Sequence, residues 1–441
     1  MKKSKWLRGL CAGLLCTSLV AGFAACANTN DPGTQDDGTV PTSGTLTIWA
    51  WDDNFNVKAA NVAAEYYKQS NPGVTVDVVS MAQDDIVANL NTAFSAGNYE
   101  GLPDIVLIED YRIQGYLQSY PGELADLSDV TDPAKFMDYK LEVMTDADGK
   151  VYGVPFDSGV AALFYRTDYI EQAGYTKEDM QDLTWEKYIE IGQAVKEATG
   201  HSMLTLDPSD LGQLRMMMQS AGAWYVGEDG QTVTIQNNAA LKEAISIYKQ
   251  MIDSGIVTQV SGWDPFVRAF QDGSVASVPS GCWIAPTISA ATDQSGKWAV
   301  APLPRMSNVE GSGHYTNIGG GAWYVIAKSP NVTLAKDFLS KTFASNNDFL
   351  NQLVSDISLV STLKSASTMS NYTAGVEFYG GQAIFQDFAA WTEQIPPVNY
   401  GQFTYDIEDV MTGAVQSVLS GTDIDTALAS AQTQAEGIII P

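Results

Sequence analysis

Apolar and polar residues alternate at two different periods through residues 45–120. The runs "TLTIWAW" (45–51), "VTVDVVSM" (74–81) and "PDIVLIED" (103–110) predict strands. Between them, "NVKAANVAAEYYKQSNPG" (56–73) and "DDIVANLNTAFSAG" (84–97) space apolar residues three or four apart. They stop at Asn-Pro-Gly and at Gly, which predicts two helices. "YRIQGYLQSY" (111–120) predicts a third. Strand–helix alternation of this kind implies a mainly parallel α/β sheet. In such sheets ligands bind beyond the carboxyl ends of strands. Two conspicuous stretches lie at such ends: "WAWDDNFN" (49–56) and "EDY" (109–111).

Further along, "VYGVPFDSGVAALFYR" (151–166) reads as extended chain, long enough to pass from one lobe to another. The region 176–260 is largely helical in pattern, with "TWEKYIEIGQAVKEATG", "DLGQLRMMMQSAGAWY" and "NAALKEAISIYKQMIDSG". "SVASVPSGCW", "KWAVAPLP" and "GGGAWYVIAK" predict strands, and "LAKDFLSKTFAS" a helix. The tail from 375 is helical again, with "IPPVNYGQ" as a loop. No internal repeat is present.

The N-terminus follows a different grammar. "MKKSKWLR" is a basic n-region, and "GLCAGLLCTSLVAGF" is apolar but short for a membrane span. "FAAC" places Ala24 and Ala25 before Cys26, which resembles a bacterial lipobox with Phe23 in place of the usual Leu. Cys16 follows bulky Leu15 and fits less well. Residues 1–25 are thus expected to be a lipoprotein signal peptide. Cys26 would be the acylated first residue of the mature chain, anchored to the outer face of the cell membrane. An ordinary signal peptide with an incidental cysteine is the alternative. Residues 26–43 are polar and rich in Gly and Pro, as a flexible tether is.

Charge removes several functions. The chain has 24 basic against 52 acidic residues, and cleavage would take Lys2, Lys3, Lys5 and Arg8 with the leader. Phosphate backbones and anionic lipid surfaces need clustered cations, so neither is an expected partner. Within the folded part Cys282 stands alone, so no disulfide framework is expected. His201 and His314 are far apart, and no metal-ligand spacing, nucleophile elbow or P-loop occurs. No cofactor is expected. A glycosidase-type carboxylate pair stays open among so many acids.

Aromatic content points to sugar. The chain has 10 Trp and 20 Tyr. A sugar ring stacks its C–H face on an indole or phenol, while each hydroxyl needs a planar polar partner once desolvated. "WAWDDNFN", "IEDYR", "VSGWDPF", "SGCWI" and "AAWTEQ" interleave the two residue kinds. Trp49 is expected in the core, and Trp51, at the end of the strand, is expected to face the cleft. Core packing also suits Trp323, inside a strand.

In order, these segments resemble the extracellular solute-binding proteins of carbohydrate ABC importers, the group that includes maltose-binding protein. The likeness runs through "LTIWAW", "VYGVPFDSGVAALFYRTDYIEQAG", "LTWEKYIEIGQAV", "GSVASVPSGCW" and "VAPLP…GGGAWYVIAKSPNVTLAKDFLSKTF". Arg166-Thr167 replaces the family's usual Asn-Lys. The resemblance implies an α/β, two-lobed, periplasmic-binding-protein-like fold with a ligand cleft between the lobes and three crossing segments. Crossings are expected near 156–160, 298–302 and 343–347. The lobes would be 44–157 plus 300–343 and 158–299 plus 344–441.

The resemblance also implies a monomeric, non-enzymatic receptor. It would deliver oligosaccharides, with xylo-, arabino- or galacto-oligosaccharides favoured, to ABC permease transmembrane subunits driven by cytoplasmic ATPases. Its implied ligand positions are Asp53 and Asn54 after the first strand, Glu109, Asp110 and Tyr111 after the third, and Asp157 at the first crossing. Trp283 stands at the stacking aromatic, with Gly320 in the close-approach run 319–321. Trp51, Trp224, Trp263, Asp264, Tyr400 and Gln402 complete the set. Asp110 also has Arg112 as an available surface partner. A surface glycoside hydrolase, or a receptor for a polyamine held by the acidic pairs, are the rival readings.

Overall fold

The first eight-residue strand, β1 (Ser43–Ala50), buries Leu46, Ile48, Trp49 and Ala50 and pairs in parallel with β2 (Gly73–Ser80). The computed structural model describes residues 39–344 and 346–439. The expected signal peptide, Cys26 and most of the expected tether lie outside those residues. Helix α1 (Asn56–Ser70) connects β1 to β2, and α2 (Gln83–Ala96) connects β2 to β3 (Ile105–Glu109). This is the right order for crossover packing on a parallel sheet. Helix α2 ends at Gly97 in the left-handed conformation. Helix α3 (Asp110–Ser119) starts directly at the carboxyl end of β3.

The chain then runs through α4 (Asp138–Glu142), β4 (Gly153–Pro155), β5 (Ala161–Arg166), α5 (Thr167–Gln172) and α6 (Trp185–Thr199). Thr184 caps α6 by accepting from the Lys187 amide. Next come β6 (Leu204–Leu206), α7 (Gly212–Ser220), α8 (Ala239–Asp253), β7 (Val257–Gln259), α9 (Trp263–Gln271) and β8 (Ser277–Gly281). The remainder is α10 (Ala285–Ser289), β9 (Trp298–Ala301), β10 (Gly321–Val325), α11 (Val332–Lys341), α12 (Asn347–Ile357), α13 (Ile384–Thr392), α14 (Thr404–Leu419) and α15 (Ile424–Glu436).

Two main sheets result. One has the order β2-β1-β3-β10-β4, with β10 antiparallel to both neighbours. The other is antiparallel, in the order β8-β5-β9. A short parallel pair, β6-β7, lies beyond it. The architecture is therefore two α/β lobes, each built around its own sheet. Trp49 and Trp323 are core residues, 8% and 0% exposed.

Three stretches of chain lie side by side where the sheets meet. Phe156 donates its amide to Gly321 O, Ile318 to Gly159 O, Ala161 to Thr316 O and Ser158 to Val360 O. These bonds revise two crossings. Val300 and Ala301 pair with β5, and Asn317 still bridges Val160, so the second return falls after 317 and not at 300. The third does not fall at 343–347. Helix α12 packs on α1, with Phe349 against Tyr66 and Phe343, and Lys364 still bonds Lys135 O. The chain comes back to the second sheet only further on, where Tyr379 and Phe388 pack on Phe164 and Gln382 bonds the backbone of Val300. The apolar face of α12 does not specify which lobe it joins, so the boundary was not readable from its pattern.

Candidate functional site

The carboxyl ends of β1 and β3 face α7, α9 and the end of β8 across a cleft. Two cavities fill it. The inner one, of about 380 Å³, has Glu109, Tyr111, Asp207, Asp210, Gln213, Arg215, Trp263, Phe266, Ser280, Trp283 and Gly319 in its wall. The outer one, of about 480 Å³, has Asp52, Asn54, Phe55, Trp263, Asp264, Arg268 and Trp283 in its wall. Trp263 and Trp283 belong to both.

Trp283 is locked in place. Its indole N–H donates to Ile318 O at 2.9 Å, across the lobe junction. A Cβ on Gly281 would come within 2.1 Å of that nitrogen, so the residue ending β8 has to be glycine for the ring to lie there. Trp263 opens α9, 53% exposed, with its ring stacked on Phe266 and 6.1 Å from Trp283. Its approach is fixed by Asp207, whose carboxylate accepts the Gly262 amide at 2.6 Å.

Polar groups surround the indoles. Glu109 accepts from Tyr405 O–H at 2.6 Å and from the Gln83 amide at 3.2 Å. The Arg112 guanidinium is 3.6 Å away from it. Arg215, buried on α7, donates to Glu408 at 2.7 Å and to Asp210 at 3.3 Å. Burial pushes the Glu408 carboxyl up, and Arg215 beside it pulls the other way. The wall thus offers two stacking faces, acceptors and a neutralised guanidinium. A ring with an apolar face and hydroxyl edges matches this arrangement.

The expected site residues divide. Asn54, Glu109, Tyr111, Trp263, Asp264 and Trp283 line the two cavities. The rest stand elsewhere. Asp53 is exposed but outside both walls, where its neighbours Asp52 and Asn54 stand. Trp51 is half-buried against the core and stands in neither cavity wall. Asp110 is sealed in, 1% exposed, with both carboxylate oxygens 2.7 Å from Lys140 Nζ. Arg112, its alternative partner, goes to Glu109. Burial pushes Asp110 up to about 7, against the pull of Lys140. Asp157 is 6% exposed and accepts the Gly321 amide at 2.7 Å, holding the crossing. Gly320, at φ +91°, packs beside Asp110 and Lys140, while Gly319 faces the cavity.

Trp224 and Tyr400 are each 2% exposed and form a box behind Tyr111. Tyr111 stacks on Trp224 at 5.5 Å and meets Tyr400 edge-on at 4.6 Å. Gln402 lines a separate cavity of about 210 Å³ and donates to Ser119. Cys282 is buried, its thiol pushed well up by that burial.

Sequence reasoning missed Asp207, Asp210, Gln213, Arg215 and Arg268. "LDPSDLGQLR" carries a signal, because two acids and an arginine surround a predicted helix start. It contains no aromatic, the residue type that marks the other candidate stretches.

Residues 62–380 match the family model described as bacterial extracellular solute-binding protein. A Rhizobium radiobacter protein named as lactose-binding is 44% identical over 397 residues, covering 90% of this chain and 93% of its own. An arabinooligosaccharide-binding protein of Bacillus subtilis strain 168 is 27% identical over 335 residues, covering 74% and 73%. Among solved structures, the GacH receptor of Streptomyces glaucescens GLA.O superposes with a TM-score of 0.74 at 22% identity. That match covers 90% of this chain and 98% of the receptor. An ABC transporter associated binding protein from B. animalis subsp. lactis Bl-04, in complex with β-1,6-galactobiose, gives 0.73 at 22%, covering 90% and 98%.

Proposed function

This chain belongs to the bacterial extracellular solute-binding proteins, and from that premise we propose that it is the oligosaccharide receptor of an ABC importer. It captures a short oligosaccharide outside the cell and presents it to the membrane permease. It performs no chemistry of its own. Lipid on Cys26 holds it at the membrane, and it works as a monomer. The observation that carries the sugar reading is the pair Trp263 and Trp283, set across the cleft from Glu109 and Asn54.

Stacking supplies apolar burial, and the acceptors prevent the hydroxyls from losing their hydrogen bonds on desolvation. Because the wall comes from both lobes, a bound sugar stabilises their closure. Among sugars the 44% identity to a lactose-binding relative favours galactosides. A polyamine fits less well. Arg215 stands in the inner wall, and Glu109 already accepts from Tyr405 and Gln83.

Calorimetric titration with lactose, galactobiose, arabinobiose, maltose, spermidine and putrescine tests this. Saturable binding of at least one sugar, with neither polyamine bound and no cleavage product after incubation, is the expected result. Polyamine binding without sugar binding, or turnover of a sugar, would overturn the reading.

A further inference from the structure

The cleft is a run of two compartments, and its size carries information on ligand length. A bonded heavy atom packed at interior density takes roughly half of the ~30 Å³ that a water occupies in the liquid. One hexose unit then needs on the order of 170 Å³. The inner cavity, about 380 Å³, has room for two rings and the outer, about 480 Å³, for at least as many. The two differ in kind. The inner wall is largely buried, with Tyr111, Gln213, Arg215 and Met216 in it. The outer wall is largely exposed, with Asp52, Asn54, Asp264 and Arg268.

They join at Trp263 and Trp283, which line both. Trp263 is 53% exposed, a large apolar surface left in water at that junction. A disaccharide confined to the inner compartment would leave most of that indole uncovered. A longer chain passing between the compartments would cover it.

Resting on the sugar reading above, the geometry points to a ligand of at least three rings. Two rings occupy the inner compartment. The chain continues past Trp263 and Trp283 into the outer one, where Asn54 from the first lobe and Asp264 and Arg268 from α9 meet its hydroxyls. The outer compartment draws its wall from both lobes, so the added ring also tightens closure. The ligand class is therefore a linear tri- or tetrasaccharide, with a disaccharide as a weaker, partial occupant.

The test is calorimetric titration with di-, tri- and tetrasaccharides of the galacto, arabino and malto series. The proteins are the wild type, Asn54→Ala and Arg268→Ala. Both substitutions are at exposed positions. In the series that binds, the trisaccharide is expected to bind about tenfold or more tightly than the disaccharide. Each variant is expected to bring that ratio close to one. Equal affinity for di- and trisaccharide in the wild type, or a ratio unmoved in both variants, would overturn the inference while leaving the sugar receptor intact. Failure of every series to bind would remove the sugar reading itself and this one with it.

Discussion

Trp283→Ala is expected to lower oligosaccharide affinity by about a hundredfold, or about 3 kcal/mol. Trp283 lines both compartments, and its indole is pinned by the bond to Ile318 O and by the close approach of Gly281. A pre-oriented ring spends no entropy on ordering when the sugar arrives, which is why truncating such an anchor costs more than its area suggests. The ring is only half-buried, so its loss leaves most core packing in place. Titration of the variant alongside its melting curve separates the two effects. An affinity within threefold of wild type would remove Trp283 from the binding surface.

Lys140→Met carries the largest expected loss of stability, about 3–5 kcal/mol at pH 8. Lys140 and Asp110 are 0% and 1% exposed, and both Asp110 oxygens accept from the ammonium. Removing the cation leaves a buried carboxylate beside Asp157 and Glu109, both of which push its titration further up. For a chain of this length the melting temperature falls by about 5 °C.

The pH dependence has a definite sign. Burial already raises Asp110 in the folded state above its ordinary value, so the folded chain holds the proton more tightly than the unfolded one. Stability from this group is present at acid pH and is lost as pH rises from about 4 through the folded pKa. Without Lys140 that pKa rises further, so the deficit of the variant widens between pH 5 and pH 8. Adding Asp110→Asn to Lys140→Met is expected to recover most of the loss, because the uncompensated charge is gone. A Lys140→Met protein as stable as wild type at pH 8 would show that the pair does not hold this junction together.

The triplet 109–111 shows how far a sequence carries a site. All three residues looked like ligand contacts because each follows a strand at the carboxyl end of the sheet. Consecutive side chains at a strand–helix junction leave in different directions. Glu109 points to the cleft, Asp110 to the interior beside Lys140, and Tyr111 into the box of Trp224 and Tyr400. Lys140 is thirty residues away, and nothing in "DYKLE" marks it as fully buried. The strands, the helices between them and the buried Trp49 and Trp323 were legible, since period and apolarity are local properties.

The lobe boundaries and the second layer of the site were not. Which sheet α12 joins, and whether Arg215 meets Glu408, depend on contacts between segments far apart in the chain. The aromatic clue leads to a cavity wall where the ring is exposed or half-exposed, as at Trp263 and Trp283. It failed at Trp224, where the same residue type packs against other rings.

A crystal structure of the protein with a galacto-, arabino- or malto-trisaccharide tests the central claim most directly. A sugar ring stacked on Trp283, with hydroxyls meeting Glu109 on one side and the chain running on towards Asn54, is the expected result. A ligand bound away from the Trp263–Trp283 junction, or a cleft that stays empty at saturating sugar, would contradict it.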